Sequence, residues 1–333
     1  MVKVDITVDL PAILLAHERI RPHVQRTLVL TSSRLNQASG ASLFFKCENF
    51  QKIGAFKARG ATNAVFSLDE ATARRGVATH SSGNHGAAVA RAAKLRGIPA
   101  QIVMPSNSAK VKIRAVESFG ARVVFCEPTE EAREAVCEDV IAKTGATLIH
   151  SFENPDVIAG QGTAAVELLE DVSNIDLVIC PVGGGGLLCG TAVAAKSMRP
   201  KIKVIAVEPA NADDAAQSFR AGRLIRTEKR FTIADGLRTN VGAPNFPIIE
   251  RYVDDIVTVT EEAIISAMRT IWETMKIIIE PSSAVPYAAI LERQPSVAAA
   301  TYGFASKIDI GGKRVGIILT GGNVDLDALP WNR

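Results

Sequence analysis

From Val77 onward, short β-type runs alternate with helical segments, and few folds tolerate that alternation over so long a stretch. Val77–His80 precedes a helical segment over Asn84–Arg96, and Ala100–Met104 precedes a helix opened by Pro105 and Ser106 and ending near Gly120. Arg122–Phe125 precedes a helix over Thr129–Lys143, which places Ala132, Val136 and Val140 on one face. Thr147–His150 reads as a further strand. After Asn154 and Pro155 the pattern resumes with a helix over 157–170, strand Leu177–Cys180, a glycine run and a helix over 187–198. Strand Lys203–Glu208 and a helix from about Ala212 follow, and a helix over 261–276 buries Ile264, Met268, Ile271, Trp272 and Met275. Val315–Leu319 is a last buried strand. Such alternation predicts parallel sheets with right-handed crossovers. Boundaries near 70–77 and 151–156 predict a small domain, 77–152, inserted into a large one made of 1–69 and 155–333. Ser67 with Glu70 reads as a capping box, and Gly76 suits the far end of that short helix.

Composition narrows function by exclusion. The chain has 333 residues, enough for two cores, and its 47% apolar and 22% charged residues are a globular balance. Thirty-eight Lys and Arg against 35 Asp and Glu leave +3, with the charges interspersed, so nothing marks a nucleic-acid or membrane surface. The five cysteines stand no closer than nine residues apart and form no CxxC pair, which predicts reduced thiols and a cytoplasmic setting. The N-terminus lacks the apolar core of a signal peptide. The uncharged run Leu177–Ala195 is nominally long enough to span a bilayer, but Pro181 and Gly183–Gly186 divide it into strand, loop and helix.

In open parallel sheets, ligands sit outside the carboxyl ends of the strands, so the loops there carry the chemistry. The segment ENFQKIGAFKARG, Glu48–Gly60, sets Lys57 between Phe56 and Ala58 at the start of an apolar helix. Desolvation there frees an amine for a Schiff base; an ordinary solvated helix lysine is the alternative. Ser81-Ser82-Gly83-Asn84-His85-Gly86 joins a strand to a helix N-terminus that favours anions, unless Ser82 or Asn84 simply caps that helix. Gly183-Gly184-Gly185-Gly186-Leu187 is a loop whose amides can wrap a phosphate. It lacks the GxGxxG spacing, and Glu208 is followed at once by Pro209, so a single phosphate fits better than a dinucleotide. Thr320-Gly321-Gly322-Asn323 ends the last buried strand with a hydroxyl that could meet a ring nitrogen.

These four loops, in this order and spacing, resemble the fold-type II pyridoxal-phosphate enzymes. Within them the chain is similar to the group of serine racemases, serine/threonine dehydratases and 3-hydroxyaspartate dehydratases, from the region of His17 to Trp331. The resemblance implies an α/β, tryptophan synthase β-like fold of two open, mainly parallel twisted sheets with helices on both faces. A small mobile domain would be inserted in the large cofactor-binding one. It implies pyridoxal 5'-phosphate as cofactor, held covalently by Lys57. Phe56 would pack on the pyridine ring, Asn84 would bond its phenolic oxygen, Gly183–Gly186 with Leu187 would hold the phosphate, and Thr320 would face the ring nitrogen. The implied activity is dehydration of serine, threonine or 3-hydroxyaspartate to a 2-oxo acid, with serine or aspartate-type racemisation as the alternative. Ser82 matches the acid/base that racemases use opposite the lysine.

For the amino-acid substrate, the resemblance implies the helix N-terminus at Ser81, Ser82, Asn84 and His85 as α-carboxylate site, with Arg133 reaching in on closure. Thr239 and Asn240 stand where serine racemases carry serines, and Arg238 could pair with a second carboxylate or with Asp235. Glu208, the carbonyl of Ala212 and Asp214 match a divalent-cation site for Mg2+, Ca2+ or Mn2+; Asp213 and Asp214 as first-turn acids are the alternative reading. Ser32, Ser33, Lys52 and Asn323 match an ATP effector site. Ala87 and Phe119 replace its glutamine and tyrosine, which speaks against nucleotide activation. A homodimer is the assembly the resemblance implies.

Overall fold

The computed structural model describes residues 8–292 and 308–332, apart from Ser82, Ala109, Lys229 and Arg230. Its strands are β1 (Val29–Leu30), β2 (Ser42–Cys47), β3 (Val77–Thr79), β4 (Ala100–Pro105), β5 (Arg122–Cys126), β6 (Thr147–Leu148), β7 (Leu177–Pro181), β8 (Lys203–Pro209), β9 (Asp255–Val259) and β10 (Arg314–Leu319). They form a six-stranded sheet, ordered β1-β2-β10-β7-β8-β9, and a four-stranded sheet, ordered β5-β4-β3-β6. Every neighbouring pair is parallel except β1 with β2. Strands β3 to β6 are consecutive, so the small sheet is inserted between β2 and β7 of the large one.

Helices cover both sheets because apolar strands buried on two faces need two covers. All five residues of β7 are buried, as are five of the six in β10. Helix Pro155–Asp171 is buried continuously from Val157 to Leu169; Asn154 caps it by accepting from Val157 N, and Pro155 supplies a preset first turn. Among the described residues no helix is long and apolar enough to cross a membrane, and Leu177–Ala195 is indeed strand, glycine loop and helix.

Two local expectations need correction. Ser67 is the last residue of helix Lys57–Ser67, with its hydroxyl bonded to Ala64 O and Asp156. The cap of helix Glu70–Arg74 is Asp69, whose carboxylate accepts from Thr72 N at 2.9 Å. An aspartate adjacent to the first helical residue outcompetes a serine two positions further back. Likewise Pro105 ends β4, where it pairs with Cys126, and the following helix begins at Lys110.

Candidate active site

The carboxyl ends of both sheets open onto one cleft of about 420 Å3. From the large sheet come the loop after β7, the loop after β10 and the turns between β2 and helix Lys57–Ser67. The small sheet contributes the segment after β3. Residues far apart in sequence are locked together by backbone bonds: Phe56 N donates to Thr320 O at 2.9 Å, and Gly322 N donates to Gly54 O at 2.9 Å.

Lys57 is the first residue of its helix, and its Nζ lies 5.2 Å from the centroid of the Phe56 ring. The ammonium donates to Ser151 O at 2.8 Å. Burial lowers its pKa to about 8, so a substantial fraction of the amine is neutral near physiological pH. Two residues on, Arg59 anchors this helix in a fully buried ionic cluster. Its guanidinium pairs with Glu48 at 2.7 Å and with Glu167 at 2.7 Å, while Lys46 reaches Glu167 at 2.6 Å. Two cations matched by two anions satisfy one another without water, which is the condition for burying charge. No local sequence pattern marks this cluster, because its carboxylate Glu167 lies 108 residues from Arg59.

Helix Asn84–Arg96 begins at Gly83 with no side-chain cap, so neither Asn84 nor a described serine occupies its first amides. A Cβ at Gly86 would lie 2.2 Å from Ser81 O, so the turn closes only around glycine there. The His85 ring is buried and bonds Ile149 O at 2.9 Å, with its pKa lowered to about 3 chiefly by burial. Its imidazole is therefore neutral, and its Nδ1 has no hydrogen-bond partner among the described residues. Ser82 lies outside the described residues.

Opposite stands the glycine loop, which opens helix Gly186–Met198 with Gly185 at φ +96° and again no side-chain cap among the described residues. A Cβ at Gly184 would fall 2.3 Å from the Phe152 ring, so this turn closes only around glycine. Asn245 Nδ2 braces the loop by donating to Gly184 O at 2.7 Å and to Phe152 O at 2.9 Å. At the cleft floor the Thr320 hydroxyl is buried and has no hydrogen-bond partner among the described residues.

A model of the family described as "Pyridoxal-phosphate dependent enzyme" matches residues 20–321. The chain belongs to that family. It is 48% identical over 319 residues to the β-hydroxyaspartate dehydratase of Paracoccus denitrificans, covering 96% of this chain and 97% of that one. The solved serine racemase of Dictyostelium discoideum is 50% identical, with a TM-score of 0.87 over 96% of this chain and 99% of the other. The solved maize serine racemase is 45% identical, with a TM-score of 0.91 over 98% and 96%.

As a pyridoxal-phosphate dependent enzyme, the chain carries parts that fit the cofactor. The Thr320 hydroxyl and two helix N-termini at the cleft have no side-chain partner or cap among the described residues, so the hydroxyl can donate to a ring nitrogen, and the buried Lys57 amine lies beside the Phe56 ring. Glu280, which no sequence motif marks, is buried and lines the same cleft. Its carboxylate accepts from Asn84 Nδ2 at 3.1 and 3.2 Å and from Asn323 N at 3.2 Å. Burial, then repulsion from Asp235, raises its pKa to about 7. The available signal was a lone carboxylate in the apolar context of Ile277–Ile279 and Ala284–Val285. Ser283 Oγ accepts from Gly321 N at 3.1 Å, which explains why a serine sits in that apolar helix.

The outer residues divide. Arg133 and Arg238 line the cleft, and Arg238 directs Nε and Nη2 to Thr232 O at 2.9 and 2.6 Å. Asp235, the partner weighed for Arg238, pairs instead with Lys112 at 3.1 Å. Asn240 does not line the cleft; its amide exchanges bonds with the Thr227 backbone at 3.1 and 3.4 Å. Glu208, Ala212 and Asp214 also lie away from it. Glu208 accepts from Ala215 N and Ala216 N at 3.3 and 2.6 Å, and Asp214 from Val241 N at 2.8 Å. Both carboxylates are buried, and desolvation with the Asp214 charge pushes the Glu208 pKa well up. Among the described residues no array of three or more His, Cys, Asp or Glu side chains could hold a metal.

Proposed function

We propose that the enzyme removes water and then ammonia from a β-hydroxy amino acid, serine, threonine or 3-hydroxyaspartate, to yield a 2-oxo acid. The net reaction converts HO–CHR–CH(NH3+)–COO− into R–CH2–CO–COO− and ammonium. The observation that carries this reading is the buried hydroxyl of Thr320, without a hydrogen-bond partner among the described residues, in the same cleft as the Lys57 amine. A neutral hydroxyl does not hold a pyridine nitrogen protonated, so negative charge at Cα is best relieved by loss of the β-hydroxyl. When bound, pyridoxal phosphate supplies an aldehyde that condenses with amines and a ring that withdraws electrons from Cα.

The chain's own residues do the rest. Lys57 would hold the cofactor covalently and, with its lowered pKa, would move the Cα proton. Gly183–Gly186 and Leu187 would hold the phosphate through backbone amides, Phe56 would pack on the ring, and Asn84, whose amide donates here to Glu280, would turn to the phenolic oxygen. The amides at Ser81–His85 receive the α-carboxylate, and Arg133 comes in as the small domain, 77–152, closes on the large one, 1–69 with 155–333. Glu208, Asp214 and the Ala212 carbonyl would hold a divalent cation, Mg2+, Ca2+ or Mn2+, whose charge would offset the two buried carboxylates. Five buried cysteines without disulfides support a reducing, cytoplasmic setting. A homodimer follows from the resemblance.

A second reading, racemisation, is favoured by the 50% identity to a serine racemase and by Ser82 at the acid/base position. It requires a proton donor facing Lys57 across Cα. An NMR time course with pyridoxal phosphate and Mg2+, offering serine, threonine and the 3-hydroxyaspartate isomers separately, tests both readings. A 2-oxo acid and ammonium as main products support the dehydratase. D-serine as main product from L-serine, abolished by Ser82→Ala, would replace it with the racemase.

A further inference from the structure

Lys112 and Asp235 form an ion pair that no motif announced, Nζ to Oδ2 at 3.1 Å, with side chains 42% and 49% exposed. Lys112 stands in helix Lys110–Glu117 of the small-sheet half, and Asp235 in the turn Asp235–Leu237 of the large-sheet half. Both line the catalytic cleft, so the pair bridges its two walls. The other outer cations there are Arg133 and Arg238, and Arg238 has two of its three nitrogens on Thr232 O. Of the two carboxylates among the described residues of the cleft, Glu280 is buried and engaged by Asn84 and Asn323, which leaves Asp235 as the half-exposed one.

We infer that Lys112 is a specificity-determining residue that exchanges the Asp235 carboxylate for the side-chain carboxylate of a dicarboxylic β-hydroxy amino acid. This rests on the dehydratase reading and narrows it to substrates of the 3-hydroxyaspartate class. Swapping one carboxylate for another keeps the ammonium paired throughout, and the displaced Asp235 is exposed enough to be solvated. A flexible lysine stem suits such a swap better than the pinned guanidinium of Arg238. The hydrogen or methyl at that position of serine or threonine offers no anion, so Lys112 stays on Asp235. The surplus of cations over free carboxylates at the outer cleft draws in the more negative substrate.

The test compares wild type, Lys112→Met, Lys112→Arg and Asp235→Asn as cofactor-loaded enzymes, each checked for native circular dichroism and bound-cofactor absorbance. Two readouts are taken: kcat/KM for 3-hydroxyaspartate relative to serine, and calorimetric affinity for succinate. Lys112→Met is expected to lower both by at least about tenfold, through KM more than kcat, while Lys112→Arg stays within about threefold. Asp235→Asn, lacking the competing carboxylate, is expected to bind succinate more tightly. Equal losses for both substrates, or unchanged succinate binding in Lys112→Met, would overturn the inference. Turnover of serine or threonine but of no 3-hydroxyaspartate isomer would overturn it while leaving the dehydratase reading intact. Turnover of none would sink the dehydratase reading, and succinate binding would still decide Lys112.

Discussion

Replacing Glu280 with glutamine isolates the electrostatic cost of the cleft floor. The carboxyl is 5% exposed, and burial, with the Asp235 charge second, lifts its pKa from 4.5 to about 7 even though Asn84 and Asn323 donate to it. That rise makes the ionised folded state less stable by about 3.4 kcal/mol than if the carboxyl kept its ordinary pKa. Because the folded carboxyl holds its proton more tightly than the unfolded one, the stabilisation conferred by that bound proton is fully present below about pH 4.5. It is lost as the pH rises through about 7. Urea unfolding of the apoprotein at about pH 5 and about pH 8.5 reads the difference. Between them, wild type should lose about 2.5 kcal/mol more than Glu280→Gln, whose neutral amide keeps an acceptor for Asn84. Parallel pH profiles for the two proteins would refute the argument, since they would mean that Glu280 titrates at an ordinary value or is relieved by an unassigned cation.

Lys57→Ala should abolish the visible absorbance of covalently bound cofactor and lower turnover at least about a thousandfold; retention of both would remove Lys57 from its role. Gly184→Ala drives a methyl to 2.3 Å from the Phe152 ring, so cofactor affinity by equilibrium dialysis should weaken about tenfold or more, and adding Phe152→Ala should recover part of it. Undiminished affinity in Gly184→Ala would show that the loop adjusts without that ring. Wild type should gain thermal stability on adding Mg2+ or Ca2+, and Glu208→Gln should lose most of that gain; no gain in wild type would leave the buried carboxylate pair without its cation.

What the sequence by itself determined is the part written in short-range signals. Fully apolar runs such as Leu177–Cys180 and Val315–Leu319, alternating with helical segments, specify parallel strands, because only strands covered on both faces are apolar throughout. The glycine run, the Ser81–Gly86 turn and Thr320 were legible because each relies on the conformational freedom or small size of residues adjacent in the chain. Strand β2 was not: its Lys46 looks like a surface residue until Glu167, 121 positions away, neutralises it. Nor was the choice between Ser67 and Asp69 as cap, since Asp156 draws Ser67 into a bond from outside the segment. Glu280 bonding Asn84, 196 residues distant, and Lys112 meeting Asp235, 123 residues distant, belong to the same class. Backbone preference acts over a few neighbouring residues, whereas the stability of a buried or paired charge depends on whichever partners packing brings within about 3 Å. For that reason the loops proposed to hold the cofactor could be read along the chain, while the buried and paired charges around them emerged only from the folded structure.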